Sequence, residues 1–522
     1  MLKKLHGRKL AVCLIGGAIY ALFSAFGWQA EHGGVIWAGG ALLVAALLVW
    51  PIAALLAVLL ERGYTRALRR EKTFRAGRAF AFILACYVPM FCVAFPGSFA
   101  YDVPYQLRQV VTGAYSTHHP LLHTLALGGL LQLGRALGDI NLGAALYTAL
   151  QMALLAGCFA LTCGSIARQS GARAAKRAAV FFALYPLNMV MAVNATKDVL
   201  FGGFFALTLA LLNEMQEKPS RGLALKIAAC GALAVMLRNN MAYAALVWLA
   251  ILTIGLRKAE KSAALAMLLA LAVGLCGNAA LKRATRAESG DMSEMLSWPI
   301  QQLARARLYD EERLTDAEKE AIDELMPGEA WACYDPTISD PVKFEFDTQA
   351  FRADVKKYVG VWLSVGKKCA GTYLDATMAL TYPFFYPYRE YRVSGYYVQM
   401  GMSDAYDAGW CDFDPPESRS LFPRALASLS WRFGAKGAMQ IPVVGWLFNM
   451  GVIVWTMLFF ALREMYWGRW RRFGTALLPV LLWGTFLLGP VMAGRYIYPF
   501  VCALPVLAAR PGRSVKEAER HG

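Results

Sequence analysis

Residues 97–125 read GSFAYDVPYQLRQVVTGAYSTHHPLLHTL, placing a carboxylate (Asp102) and an adjacent histidine pair (His118, His119) in one short connection. Four other clusters carry reactive side chains at close spacing. They are Lys197 and Asp198 in NATKDVLF, Arg238, Asn239 and Asn240 in MLRNNMAY, Gln302 and Arg305 in WPIQQLARAR, and Arg495 with Tyr496 in GRYIYP. A carboxylate or an imidazole can take the proton from an attacking hydroxyl. Lysine and arginine stabilise negative charge that develops on a leaving oxygen, and the planar arginine fork matches phosphate geometry. The set suits a nucleophile that must lose a proton and a leaving group that departs as an anion. Plainer readings stand beside it. Lys197–Asp198 can be a local ion pair or an interfacial snorkel, His118–His119 can cap the helix that follows Pro120, and the tyrosines of the opening stretch fit an aromatic belt.

The elements that must position these groups are apolar. The 522 residues are 57% hydrophobic and 17% charged, with a mean hydropathy of +0.41, against the roughly 25% charge of a soluble domain. Runs near the ~20 residues needed to span a bilayer recur at 10–27, 35–60, 79–95, 140–165, 178–194, 198–215, 223–237, 241–256, 263–280, 440–462, 475–490 and 494–510. Only helices satisfy the backbone in lipid at this apolarity, so the expected fold is an all-α polytopic membrane protein of about twelve transmembrane helices. Residues 120–137 are shorter and carry His123, Gln132 and Arg135. We read them as a helix lying at the membrane interface.

The net charge of +17 is not spread as a nucleic-acid footprint. Lysine and arginine gather in short connections, at MLKKLHGRK, 61–78, 168–177, 257–261 and 463–472. That is the distribution of cytoplasmic loops. Alternation from a cytoplasmic N-terminus keeps all of them, and the C-terminal tail, on one side. It sends the five reactive clusters to the other. The expected organisation is an N-terminal helix pair with its basic loop (1–78), a transmembrane core with a reactive outer loop at 96–139 (79–280), a long extracytoplasmic region (281–437) and a C-terminal transmembrane part with a basic tail (438–522). In the long region Thr315 is expected to cap a helix over 315–326, a second helix is expected over 351–368, and Cys333, Cys369 and Cys411 offer one possible disulfide pair. No Walker A, dinucleotide-binding glycine pattern, GxSxG or HExxH occurs, which weighs against ATPase, dehydrogenase, α/β-hydrolase and zincin chemistry.

The order FPGSFAYDVPYQ, then GAYSTHHPLLHTLALGGLLQLG, resembles the GT-C superfamily of integral-membrane glycosyltransferases. The layout is similar to that of protein O-mannosyltransferases and aminoarabinose transferases. It is closer to bacterial GT-C-like proteins carrying TKD, RNN, PxQQxAR and RYxxP, matched here by Lys197–Asp198, Arg238–Asn240, Pro299–Arg305 and Arg495–Pro499. The likeness covers about 79–510. It implies transfer of a sugar from a polyprenyl-phosphate carrier in the bacterial inner membrane to an extracytoplasmic glycan, lipid or protein. It also implies catalytic roles for Asp102, His118 and His119, donor binding by the other clusters, and often a divalent cation (Mg2+ or Mn2+), for which Asp102 is the candidate ligand. Many members carry a second acid beside the first, whereas Val103 follows Asp102 here. An O-antigen-ligase or polymerase type of enzyme, and a transporter or flippase of anionic or lipid-linked substrates, are the alternative readings.

Overall fold

The computed structural model describes residues 2, 5–32, 40–62, 74–99, 102–253, 258–290, 292–387, 398, 400–402, 415–434, 441 and 443–510. Its regular elements are helices, with isolated β-bridges and no strand among the described residues. Six helices are long and apolar enough to cross a membrane: α1 (Arg8–Glu31), α2 (Gly40–Arg62), α3 (Ala76–Ala94), α6 (Ile140–Ser170), α9 (Lys197–Glu217) and α12 (Lys258–Thr285). The all-α, membrane-embedded architecture therefore stands. Other expected spans are shorter or broken. α10 (Arg221–Leu237) and α11 (Asn239–Thr253) have 17 and 15 residues. The run at 178–194 is two helices, α7 (Ala172–Leu184) and α8 (Pro186–Ala192), because Pro186 has no amide to donate and holds Tyr185 extended.

Between α3 and α6 lie α4 (Val103–Thr112) and α5 (Leu121–Ala136). α5 does not run the length of α6. It lies along its first turns, where Gly134 and Gly143 abut so closely that a Cβ on either would meet backbone of the other, and His123 Nε2 reaches Tyr147 Oη at 2.9 Å. α6 then continues alone to Arg168 and Glu214. α5, with 16 residues, is shorter than the six long apolar helices.

The long region 281–437 is more structured than a loop, and its first residues are the end of α12. α13 (Ser297–Tyr309), α14 (Asp316–Leu325), α15 (Asp340–Phe344), α16 (Thr348–Ala353) and α17 (Val355–Lys368) enclose a small core of their own around Ile300, Leu303, Ile322, Leu325 and Val365. Thr315 caps α14 with Glu318 in a reciprocal capping box. The expected helix at 351–368 is interrupted at Asp354, whose carboxylate caps α17 instead. α18 (Ala370–Thr381) leads back into the bundle, where Leu380, Tyr382, Phe384 and Phe385 join the main core. Trp455 and Trp483 donate to the carbonyls of Phe385 and Phe384 at 2.7 and 3.2 Å. Half of the region is thus part of the bundle. Cys333 and Cys369 are free thiols, and Cys411 lies outside the described residues.

After α19 (Pro423–Gly434), three helices close the bundle: α20 (Met450–Tyr466), α21 (Trp470–Leu487) and α22 (Tyr498–Ala508). α20 starts ten residues later than the hydropathy suggests, after a short 3-10 turn at Val444–Leu447. The arginine-rich connections meet at one end of the bundle. Arg168 pairs with Glu214 at 2.5 Å, Arg472 with Glu217 at 3.2 Å, and Lys9 with Glu61 at 2.6 Å. The opposite ends of these helices carry the reactive clusters.

Candidate active site

A short backbone clasp brings the first cluster into place. The Ser98 amide donates to the Val193 carbonyl and the Ala195 amide to the Ser98 carbonyl, both at 2.8 Å. Gly97 before it sits at φ +144, and a Cβ there would lie 2.2 Å from Thr148 Oγ1, so glycine is required. The clasp ties the segment carrying Asp102 to the one that starts α9 with Lys197 and Asp198. Asp102 precedes α4 but its side chain does not cap that helix, which leaves the carboxylate for partners elsewhere. Arg238 sits in extended backbone between α10 and α11, and Arg495 in a 3-10 turn that leads into α22.

These side chains form one network. Lys197 Nζ is 3.2 Å from Asp102 Oδ2, and Arg495 places Nη1 3.1 Å from Oδ2 and Nη2 3.4 Å from Oδ1. On the inner side Arg238 pairs with Asp198, and Arg495 Nε stands 3.9 Å from Asp198 Oδ2. Thr196 Oγ1 donates to the same oxygen at 3.3 Å. The Arg238 guanidinium lies over Phe486 and Tyr496, 4.4 and 4.5 Å from their ring centres. The two acids differ in access: the Asp198 side chain is 0% exposed and the Asp102 side chain 23%.

Protonation follows from these neighbours. Burial alone would raise the Asp102 pKa, but Arg495, then Lys197 and His119, hold it well below the ordinary carboxylate value of 3.8. His119 Nδ1 is 3.6 Å from Asp102 Oδ2. Burial, with the field of Lys197 added, outweighs the attraction of Asp102 and takes the imidazole down to about 3, so the ring is neutral at ordinary pH. Among the described residues three cations therefore meet two carboxylates in this network. Such a centre fits an anion.

A divalent cation fits poorly. The carboxylate proposed to hold it is occupied by Lys197 and Arg495, whose charges repel a second cation, and among the described residues no group of three or more His, Cys, Asp or Glu side chains is arranged as a metal site. No step is assigned to a metal here.

The remaining candidates separate. His118 is exposed, its ring edge-on to His119 at 4.6 Å. Asn240 donates to Thr485 Oγ1 at 3.1 Å and ties α11 to α21, while Asn239 is exposed. Gln302 and Arg305 are not in the network. Gln302 bridges Thr377 Oγ1 at 2.9 Å and Trp362 Nε1 at 2.8 Å, and Arg305 donates to Tyr334 Oη at 3.1 Å, all within the second core region. α13 still reaches the site end through Trp298, which donates to the Leu487 carbonyl at 2.7 Å next to Phe486. Sequence reading missed Phe486, and a buried polar line in which His123 contacts Gln106 Oε1 and Tyr147 Oη while Tyr147 donates to Gln151. Its one sequence signal was the polar pair Tyr147 and Gln151, four apart on an otherwise apolar helix.

Fold and site together define a helical membrane protein with a cluster of cationic and acidic side chains at one end of its bundle. The chain belongs to DUF6020, a family of unknown function, whose match covers residues 112–521 and so takes in Lys197, Arg238 and Arg495 but not Asp102. No curated protein and no solved structure matches it.

Proposed function

We propose that the protein is a GT-C-like membrane glycosyltransferase that moves a sugar from a polyprenyl-phosphate carrier to an acceptor hydroxyl on the extracytoplasmic face. The observation that carries the reading is the convergence of Lys197 and Arg495 on the part-exposed Asp102, with Arg238 held behind them by the buried Asp198, the three cations coming from three separate helix ends. The positive-inside distribution of the basic loops puts this end outside and the termini in the cytoplasm. In this reading the shorter helices α10, α11, α20, α21 and α22, with the α7–α8 pair, complete about twelve spans around the six long ones.

In the reaction the acceptor oxygen bonds to the anomeric carbon as the bond from that carbon to the phosphate oxygen breaks. The bonding pair leaves on the lipid phosphate, whose charge goes from one to two negative. The positive charges of Lys197, Arg238 and Arg495 stabilise that change more in the transition state than in the ground state. Asp102 while bound to two cations is a weak base. A donor phosphate competes for Lys197 and Arg495, and each contact it takes makes Asp102 more basic, so donor binding prepares the general base. His119 Nδ1, neutral and 3.6 Å away, can accept a hydrogen bond from Asp102 once that acid is protonated. Fully buried Asp198 keeps Arg238 and Arg495 in place throughout.

Lipid mass spectrometry of cells with and without the protein tests the reading. Loss of the protein should leave a polyprenyl-monophosphate sugar accumulated. Accumulation of a diphosphate-linked oligosaccharide would instead indicate a ligase or polymerase, and an unchanged lipid pool would count against both.

A further inference from the structure

At the arginine-rich end, remote from Asp102, a cavity of about 650 Å³ opens between α7, α20 and α22. Its α7 wall follows one helix face, through Ala174, Arg177, Ala178 and Phe181 at helical spacing, and Ser170, the last residue of α6, stands beside it. Phe460 and Leu504 face it from the other two helices, and Arg510 stands at the end of the floor. Polarity changes along its length: Ser170, Arg177 and Arg510 lie toward the helix ends, and Phe181 and Leu504 toward the interior of the bundle. Ser170 is buried to nine-tenths, yet its Oγ has no hydrogen-bond partner. Gly171 supplies no side-chain cap to the first-turn amides of α7, so that helix start adds donors and a positive dipole end. Among the described residues no acidic side chain lines the cavity. At the same end of the bundle Glu464 pairs with Arg463 and Arg469. On the flank of α7 Val180 and Leu184 are about half exposed, at 48% and 53%, which places the cleft on the lipid-facing surface.

From this arrangement we infer a binding site for one acidic phospholipid, its phosphate held by Arg177, Arg510 and Ser170 and the upper part of an acyl chain lying over Phe181, Phe460 and Leu504. Charge complementarity selects an anionic headgroup, and the apolar inner half selects a lipid over a free anion. The volume lies within the range of small-molecule sites and takes a headgroup with the start of one chain, leaving the rest in the bilayer. Basic pockets between transmembrane helices on the basic side of a membrane recognise acidic headgroups in this way. The site is independent of the catalytic reading, since it touches none of its residues.

Native mass spectrometry of the full chain in detergent, titrated with phosphatidylglycerol or phosphatidylcholine, tests the inference. One phosphatidylglycerol should survive collisional activation that strips phosphatidylcholine. Arg177→Ala with Arg510→Ala should weaken its retention by roughly tenfold. Thr456→Trp, which fills the inner half and leaves both arginines, should remove it as well, and serves alone if the double variant does not fold. Equal retention of the two lipids, or retention of phosphatidylglycerol by Thr456→Trp at the parent level, would overturn the assignment.

Discussion

Both ends of the bundle bury arginines beside carboxylates, but they use them differently. At the basic end Arg463 and Glu464 are each only 4% exposed. Arg463 Nε donates to Glu464 Oε1 at 2.9 Å, and its other nitrogens reach the carbonyls of Leu507 and Ala508 at 2.7 and 3.2 Å. All three nitrogens of the Arg463 guanidinium have a protein acceptor, and the cluster ties α20 to the last turn of α22. At the opposite end, among the described residues, three cations meet two carboxylates, and the outer acid, Asp102, is part-exposed. A buried ion pair closed on itself is a rivet, whereas a charge-unbalanced one with an accessible edge is a receptor for what the protein lacks.

Substitutions at the two ends should therefore fail in different ways. The largest effect is expected at the site: Asp102→Asn keeps the shape but removes the base, and transfer from a polyprenyl-phosphate sugar should drop by about 10²–10⁴-fold, while the thermal midpoint in detergent stays near that of the parent. Parent-level turnover by this variant would reduce Asp102 to a structural counter-ion. Arg463→Ala should show the reverse pattern. It leaves Glu464 with Arg469 alone, 3.5 Å away, and strands two carbonyls, and should cost about 3–5 kcal/mol of stability, read by denaturant unfolding, with turnover of the surviving folded fraction unchanged. Arg238→Lys keeps the charge but loses the planar fork over Phe486 and Tyr496, and donor KM should rise by about tenfold with kcat less affected.

Acid sharpens the contrast further. Burial, followed by the field of Lys197, keeps His119 neutral down to about pH 3, whereas the unfolded chain protonates it near 6.5. The unfolded state therefore binds the extra proton in that window, and stability should fall as pH drops from about 6.5 toward 3. The depressed Asp102 pKa acts with the same sign lower down: its contribution is present above the ordinary value of 3.8 and is lost as pH falls through its folded value. His119→Gln should remove the upper part of this slope in a pH series of thermal midpoints. The smallest signal is topological. A single cysteine at Ala114, exposed beside the site, should react with an impermeant maleimide from outside the cell, and one at Lys176 should not. Labelling at Lys176 alone would reverse the sidedness on which the proposed function depends.

How far the sequence revealed this site depended on contrast. Asp102, Lys197, Asp198, Arg238 and Arg495 stood out because charge at the ends of apolar runs is costly and rarely idle, and the structure brings all five together with Tyr496. Phe486 gave no such contrast. An aromatic ring inside an apolar run looks the same whether it packs against lipid or under a guanidinium. Gln302 and Arg305 misled for the opposite reason: they carry the right chemistry, but α13 turns them into the second core region. Hydropathy found the long helices and overextended the rest. It averages over breaks such as the one before Pro186, and it reads the polar stretch 281–437 as loop although Tyr382, Phe384 and Phe385 return to the bundle.

The clasp at Ser98 bears on speed. Asp102 is held between a backbone segment bonded to 193–195 and the first turn of α4, so its main chain has little freedom to swing. In the proposed reaction, its exchange between the two cations and an incoming hydroxyl would then reduce to side-chain torsion, a picosecond-to-nanosecond event, rather than a microsecond loop opening. A rearrangement that fast is complete long before a lipid carrier can diffuse away, and turnover is left to be set by chemistry or by the arrival and departure of the carrier.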